Sequence, residues 1–220
     1  MEAIDRSEYP VDRVKRLLSG VPFFNEVLRG DGQQFDQLLN CSEILLARPG
    51  ETVIAQGDSD TYLYFLLSGQ LAVMGANPDG SPLVLNYISP GEVFGALAMI
   101  MGTPRTATIK VDDSAREAVV ARLDYSHFRN LQESSVFNLA TRLSFYRMLA
   151  HNIRWTLEVN KMQNPEHPLV ASLRTVPIYT GPKGSQAELE ALHEQSMKLA
   201  DILCQWNQSS EPVQKSNIQV

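Results

Sequence analysis

The segment Pro90-Gly91-Glu92-Val93-Phe94-Gly95-Ala96-Leu97-Ala98-Met99, followed by Pro104-Arg105-Thr106-Ala107-Thr108, holds the groups of this chain best suited to gripping an anion. A short helix starting near Gly95 would aim the free N–H groups of Leu97 and Ala98 at one point, and helix N-termini attract negative charge. Glycine fits at 95 because a side chain would block close backbone approach. Arg105 on the next strand could fork onto two phosphate oxygens through charge-assisted hydrogen bonds. Thr106 adds a hydroxyl and Ala107 another N–H. The same residues also fit a glycine-rich turn beside a surface arginine.

These groups need a scaffold, and residues 44–123 read as short strands divided by turn signals: Pro49-Gly50, Gln56-Gly57-Asp58, Ser68-Gly69, Asn77-Pro78-Asp79-Gly80 and Ser89-Pro90-Gly91. Turns every eight to twelve residues, with β-branched and aromatic runs between them, predict an antiparallel jelly-roll or β-roll barrel. Asn77-Pro78-Asp79-Gly80 is the expected hairpin tip between strands Leu71–Met74 and Leu83–Tyr87.

The period then changes. Val136, Leu139, Leu143, Tyr146, Ala150, Ile153, Leu157 and Asn160 step by alternating threes and fours, a heptad seam on one long helix that would either pair two chains, with Asn160 fixing register, or be buried within a single subunit. A second apolar set, Phe145, Met148, Leu149, Trp155 and Val159, lies off this seam, where it would cover the barrel. Two prolines in Asn164-Pro165-Glu166-His167-Pro168 end the helix. After residues 169–184, with Pro177, Gly181, Pro182 and Gly184, one helix is predicted from the capping box Ser185-Gln186-Ala187-Glu188 to about Asn207. Its apolar seam is Leu189, Leu192, Ser196, Leu199, Leu203 and Trp206, and its other face carries Glu190, Glu194 and Asp201. The polar stretch Gln208 to Val220 reads as a flexible tail.

Composition narrows the function. The 220 residues are 44% apolar, as in a globular core, and the net charge of −6 argues against a nucleic-acid partner. Cys41 and Cys204 lie far apart and outside any metal spacing, so reduced thiols are expected. No run has the length of a membrane span and no signal-peptide pattern opens the chain, so a cytoplasmic address is expected. The four histidines, His127, His151, His167 and His193, show no ligand spacing, and no nucleophile elbow or Walker loop occurs. The expectation is a non-enzymatic protein with no catalytic residue, metal or cofactor.

From Val21 to Leu131 the chain resembles the cyclic-nucleotide-binding domains of the bacterial catabolite-activator (Crp/Fnr-like) superfamily. The cassette carries the resemblance, together with Val21-Pro22-Phe23-Phe24, Arg48-Pro49-Gly50-Glu51-Thr52-Val53-Ile54 and Tyr64-Phe65-Leu66-Leu67-Ser68-Gly69-Gln70-Leu71-Ala72-Val73. It implies an α+β fold, mainly β with flanking helices: a helical lead-in (1–20), the binding domain (21–134), a long dimerisation helix (135–163), an accessory loop and helix (164–207) and the tail (208–220). It implies phosphate contacts from Gly95, Leu97, Ala98, Arg105, Thr106 and Ala107, and a base pocket at Leu83, Leu85 and Thr156. The family's ribose-binding glutamate is replaced by Ala96. The resemblance thus implies a sensor of cAMP or cGMP, weakened at the ribose, homodimeric through 136–160 and signalling through protein contacts. Two alternatives stay open: a degenerate domain used as an interaction scaffold or binding another small anion, and a transcription regulator whose winged helix-turn-helix is eroded, since residues 169–207 show no basic reading helix.

Overall fold

The run Tyr62–Ser68 is almost wholly apolar because both faces of its strand are covered. Leu63, Phe65 and Leu67 enter one hydrophobic cluster while Tyr64 and Leu66 enter another. A strand's side chains alternate in direction, so one strand supplies two cores. The partner strand at 118–124 does the same, sending Val119, Ala121 and Leu123 to the first cluster and Ala118 and Val120 to the second.

These relations come from a computed structural model that describes residues 2–3, 11–76, 79–132 and 136–209. The strands in chain order are β1 (Glu2–Ala3), β2 (Ser42–Ala47), β3 (Thr52–Ile54), β4 (Tyr62–Ser68), β5 (Leu71–Ala76), β6 (Pro82–Ile88), β7 (Val93–Phe94), β8 (Thr108–Val111) and β9 (Ala118–Asp124). The helices are α1 (Val11–Ser19), α2 (Pro22–Gly30), α3 (Gly32–Asn40), α4 (Ala96–Met101), α5 (Ser126–Arg129), α6 (Leu139–Gln163), α7 (Leu169–Thr175) and α8 (Gln186–Ser209). One sheet has the order β1-β2-β9-β4-β7 and the other β3-β8-β5-β6, and every pairing is antiparallel.

The predicted α+β class and jelly-roll arrangement are found, with one difference. The two sheets are stacked and open rather than closed into a barrel, with β1 and β7 at the edges of one and β3 and β6 at the edges of the other. The second apolar cluster lies between the sheets, and the first lies between the larger sheet and the helices. Phe23 of α2 meets Phe145 of α6 edge-on, Phe145 stacks on Phe128 of α5 and Phe128 on Phe137, and Phe23 stacks on Phe65 of β4, so the rings tie these helices to that sheet. The β5–β6 hairpin forms between the expected strands, with a register shift between Val73 and Met74, and Asn77 and Pro78 of its tip lie outside the described residues. The lead-in holds α1 and, at its start, the β1 strand on β2, and the tail beyond Ser209 is likewise outside the described residues.

The accessory segment holds two helices where one was expected. Pro168 stands at the N-cap of α7, where a missing N–H costs nothing, and Val170 and Leu173 are buried. The cap of α8 forms with one change from a capping box: Ser185 Oγ accepts the Glu188 N–H at 3.2 Å, but Glu188 Oε2 accepts the N–H of Gly184, one residue before the cap, at 2.6 Å.

The heptad seam on α6 requires a correction. Leu143, Tyr146, Ala150, Ile153 and Leu157 are all buried within this one chain. Their cover is α8, which runs alongside α6 in the same direction: Arg147 meets Glu188 and Tyr146 meets His193 at one end, while His167, just past α6, stacks on Trp206 at the other. Five of the eight predicted seam residues are thus covered inside this chain, while Leu139 and Asn160 are half-buried and Val136 is exposed. The second apolar set divides: Phe145 and Leu149 are fully buried, whereas Trp155 does not cover the sheets but stands 63% exposed.

Candidate functional site

Gly95 begins the site. It sits at φ 79°, ψ 3° as the N-cap of α4, a left-handed conformation that favours glycine. A Cβ there would also lie 2.7 Å from Arg105 Nη1 and 3.3 Å from the Tyr64 ring, so both conformation and space demand glycine. Leu97 and Ala98 fall in the first turn of α4, where backbone N–H groups have no intrahelical acceptor. Gly102, at φ 63°, closes the helix and donates its N–H to the Ala98 carbonyl.

Arg105 is brought to Gly95 by the turn at 56–60. The Arg105 N–H donates to Asp58 O at 2.8 Å, and Arg105 O accepts the Gly57 N–H at 2.9 Å. Its guanidinium then enters the molecule, leaving the side chain 2% exposed. Nη1 donates to Gly95 O at 2.6 Å, Nη2 to Tyr62 O at 2.6 Å and to Asp60 Oδ1, and Nε to Asp60 Oδ2 at 3.2 Å. The carboxylate of Asp60 is itself oriented by the Tyr62 N–H at 2.9 Å. The guanidinium carbon lies 5.4 Å from the centroid of the Tyr64 ring, which stacks on Phe94. Burial and the nearby Asp60 charge push the Tyr64 hydroxyl above the usual phenol range.

The structure therefore brings Gly95 and Arg105 into contact, with Leu97 and Ala98 on the adjoining helix turn and Thr106 exposed beside them. Ala107 is half-buried. Ala96 is 6% exposed and belongs to the apolar cluster of the helices, so a carboxylate at this position would be taken out of water. On β6, Leu83 is half-buried and Leu85 exposed. Thr156 is exposed on α6, and its hydroxyl donates to the Asn152 carbonyl of its own helix at 3.1 Å.

Sequence reasoning missed Asp60. Its signal was faint, a carboxylate two residues before an almost wholly apolar strand, although a buried arginine must find such a counter-charge. Also unforeseen were two clefts of about 360 and 280 Å³, neither lined by a cassette residue. The larger is bordered by Glu26, Asp31, Asn138 and Ser144, whose polar groups are turned on one another: Ser144 Oγ donates to Glu26 at 2.8 Å and Asn138 Nδ2 to Asp31 at 3.2 Å. Among the described residues no cluster of His, Cys, Asp or Glu could hold a metal ion, and no helix is long and apolar enough to cross a membrane.

The family model described as cyclic nucleotide-binding domain matches residues 45–135, from β2 through the cassette to the approach of α6. That segment is similar to the cyclic nucleotide-binding domain family. Among curated proteins, the chain is similar to patatin-like phospholipase domain-containing protein 6 of Mus musculus, 33% identical over 130 residues, which are 54% of this chain and 9% of that protein. It is also similar to acetyltransferase Pat of Mycolicibacterium smegmatis, 42% identical over 65 residues, which are 30% of this chain and 19% of that protein. The chain thus spans less than a fifth of the length of either relative. Among solved structures, a cyclic nucleotide-binding domain from Methylobacillus flagellatus KT superposes with a TM-score of 0.54 at 16% identity, covering 76% of this chain and 97% of that one. That likeness supports the fold of the cyclic nucleotide-binding domain beyond the matched segment.

Proposed function

We propose that this cyclic nucleotide-binding domain is a non-enzymatic sensor that takes a cyclic nucleotide, cAMP or cGMP, at Gly95, Leu97, Ala98, Arg105, Thr106 and Ala107. The observation that carries the reading is the seating of Arg105 against Gly95 at the start of α4. Without a carboxylate at Ala96 the ribose loses one charge-assisted hydrogen bond, about 1.5–3 kcal/mol, or roughly ten- to over a hundredfold in affinity. Binding is then weak, and the output passes through protein contacts. The packing of α4 against α8 supports this route, since a ligand that draws α4 inward also loads α8.

A homodimer belongs to the same proposal, on a different face from the one read in the sequence. Within 136–160 a stripe off the seam carries exposed Trp155 between half-buried Met148, Asn152 and Val159, extended by exposed Met162, at spacings of four and three. A nucleic-acid role is not proposed: Glu190, Glu194 and Asp201 are exposed on α8, which makes that face acidic.

The second reading, a scaffold that has abandoned the nucleotide, is favoured by the enclosure of Ala96 in the apolar cluster. Calorimetric titration with cAMP and cGMP separates the two. Saturable binding lost in Arg105→Gln supports the sensor; no heat from either nucleotide supports the scaffold.

A further inference from the structure

We infer that the cleft between α2 and α6 is a docking site for a lysine side chain of a partner protein. It shares no residue with the cassette, so it stands or falls apart from the nucleotide reading.

The cleft, of about 360 Å³, follows two antiparallel segments: Glu26 of α2 meets Ser144 of α6, and Asp31, just past α2, meets Asn138, just before α6. Most of its polar groups are spent. Asp31 Oδ1 accepts the N–H groups of Gln33 and Gln34 and Oδ2 accepts from Asn138, so this charge serves the positive starts of α3 and α6. Arg147 is balanced by Glu188, which both its Nε and its Nη2 reach. Two groups remain. Glu26 takes the Ser144 hydroxyl at 2.8 Å on one oxygen, and its other oxygen has no partner among the described residues. Thr141 lines the cleft and is only 3% exposed; its N–H donates to Asn138, while its hydroxyl has no partner among the described residues. A polar group so deeply buried calls for one.

These groups select an ammonium. Gly30, the last residue of α2, also lines the cleft, and the last turn of a helix presents carbonyls without intrahelical donors and a partial negative charge. A carboxylate oxygen, a hydroxyl oxygen and helix-end carbonyls match the three donors of a lysine. Arginine fits less well, because its planar fork takes both oxygens of a carboxylate and Ser144 already holds one. A metal ion is not served, since among the described residues no cluster of His, Cys, Asp or Glu could hold one. Val27 and Leu143, both buried, supply the apolar wall on which a lysine's aliphatic stem would lie. One unbalanced carboxylate answers one ammonium, and the chain's net charge of −6 favours the approach of a basic partner.

The experiment is an NMR titration of the full chain, as wild type, Glu26→Gln and Thr141→Val, with Nα-acetyl-lysine methylamide, its norleucine counterpart, which keeps the stem and lacks the ammonium, and its arginine counterpart. The expected result is saturable binding of the lysine probe that moves the Gly30 and Thr141 amides, with the norleucine probe silent and the arginine probe weaker. Glu26→Gln, which keeps an oxygen for Ser144, should bind the lysine probe about tenfold more weakly or worse, and Thr141→Val about threefold more weakly. No saturable binding by wild type, equal binding of the norleucine probe, or undiminished binding by Glu26→Gln overturns the inference; arginine binding as tightly as lysine overturns the assignment to lysine. Should Glu26→Gln fail to fold, raising the salt concentration on wild type carries the comparison: affinity for the lysine probe should fall, and an affinity that does not change overturns the ionic contact.

Discussion

Arg147 Nη2 lies 2.7 Å from Glu188 Oε1, and the other oxygen of that carboxylate accepts the Gly184 N–H at 2.6 Å. One side chain thus completes the start of α8 and joins it to α6, the helix that lies along it. Burial would raise the Glu188 carboxyl, but the hydrogen bonds from Arg147 and Gly184 outweigh it and hold the group below the usual carboxylate range. Glu188→Ala removes both links and is expected to cost about 2 kcal/mol, a lost cap plus a stranded donor. Urea denaturation at pH 7 measures it. Because the folded pKa is depressed, this contribution is present above the unfolded value of about 4.3 and fades as pH falls through the folded one; the gap between wild type and Glu188→Ala should therefore narrow in strong acid.

His193 faces the Tyr146 ring, centroid to centroid 5.4 Å, between α8 and α6. Burial pushes its pKa below the ordinary histidine value, against the opposing pull of Glu194. The unfolded chain takes up this proton more readily than the folded one, so stability is full above an unfolded pKa of about 6.5 and declines as pH falls below it. Thermal unfolding between pH 7.5 and 5.5 should show that decline in wild type and a shallower one in His193→Phe.

Two neighbours on α6 should behave in opposite ways. Leu157 is fully buried, and Leu157→Ala is expected to cost about 3 kcal/mol. Trp155 is 63% exposed, and Trp155→Ser should change stability by no more than about 0.5 kcal/mol. If the uncovered stripe is the dimer face, Trp155→Ser combined with Met162→Ser yields a monomer that melts as before. Sedimentation equilibrium beside calorimetry reads both properties.

Gly95→Ala places a side chain at φ 79° and against Arg105. The expected loss is more than about 1 kcal/mol, with anion binding lost at the same time. Ala96→Glu tests the neighbouring position. Buried among apolar groups, the introduced carboxylate should lower the melting temperature at pH 7 and do so less at pH 4, where it is more often protonated.

Much of the fold was legible because local rules fix it. The strands Leu71–Met74 and Leu83–Tyr87, the capping box at Ser185–Glu188 and the glycine at 95 each follow from a turn, a cap or a backbone conformation that nearby residues settle. Less visible was α7, because Pro168 signals a helix start as well as a helix end. The grouping of Gly95 with Arg105 could be read from their order, whereas the acceptor Asp60 could not, since it lies 45 residues from the arginine it holds.

By itself, the sequence determined the strand-rich domain, the anion-suited cassette and a long helix with an apolar seam. Only the tertiary structure decided what those features face. A heptad seam records that a helix has a partner and says nothing of which chain supplies it; here α8 of the same chain covers Leu143 through Leu157 and leaves Trp155 to solvent. A basic residue beside a glycine turn records an available charge and says nothing of what neutralises it; here burial forces Arg105 onto Asp60, because a desolvated cation requires an anion within hydrogen-bonding reach. Periodicity and motif are properties of neighbours along the chain, while pairing of faces and charges is settled by residues that only folding brings together.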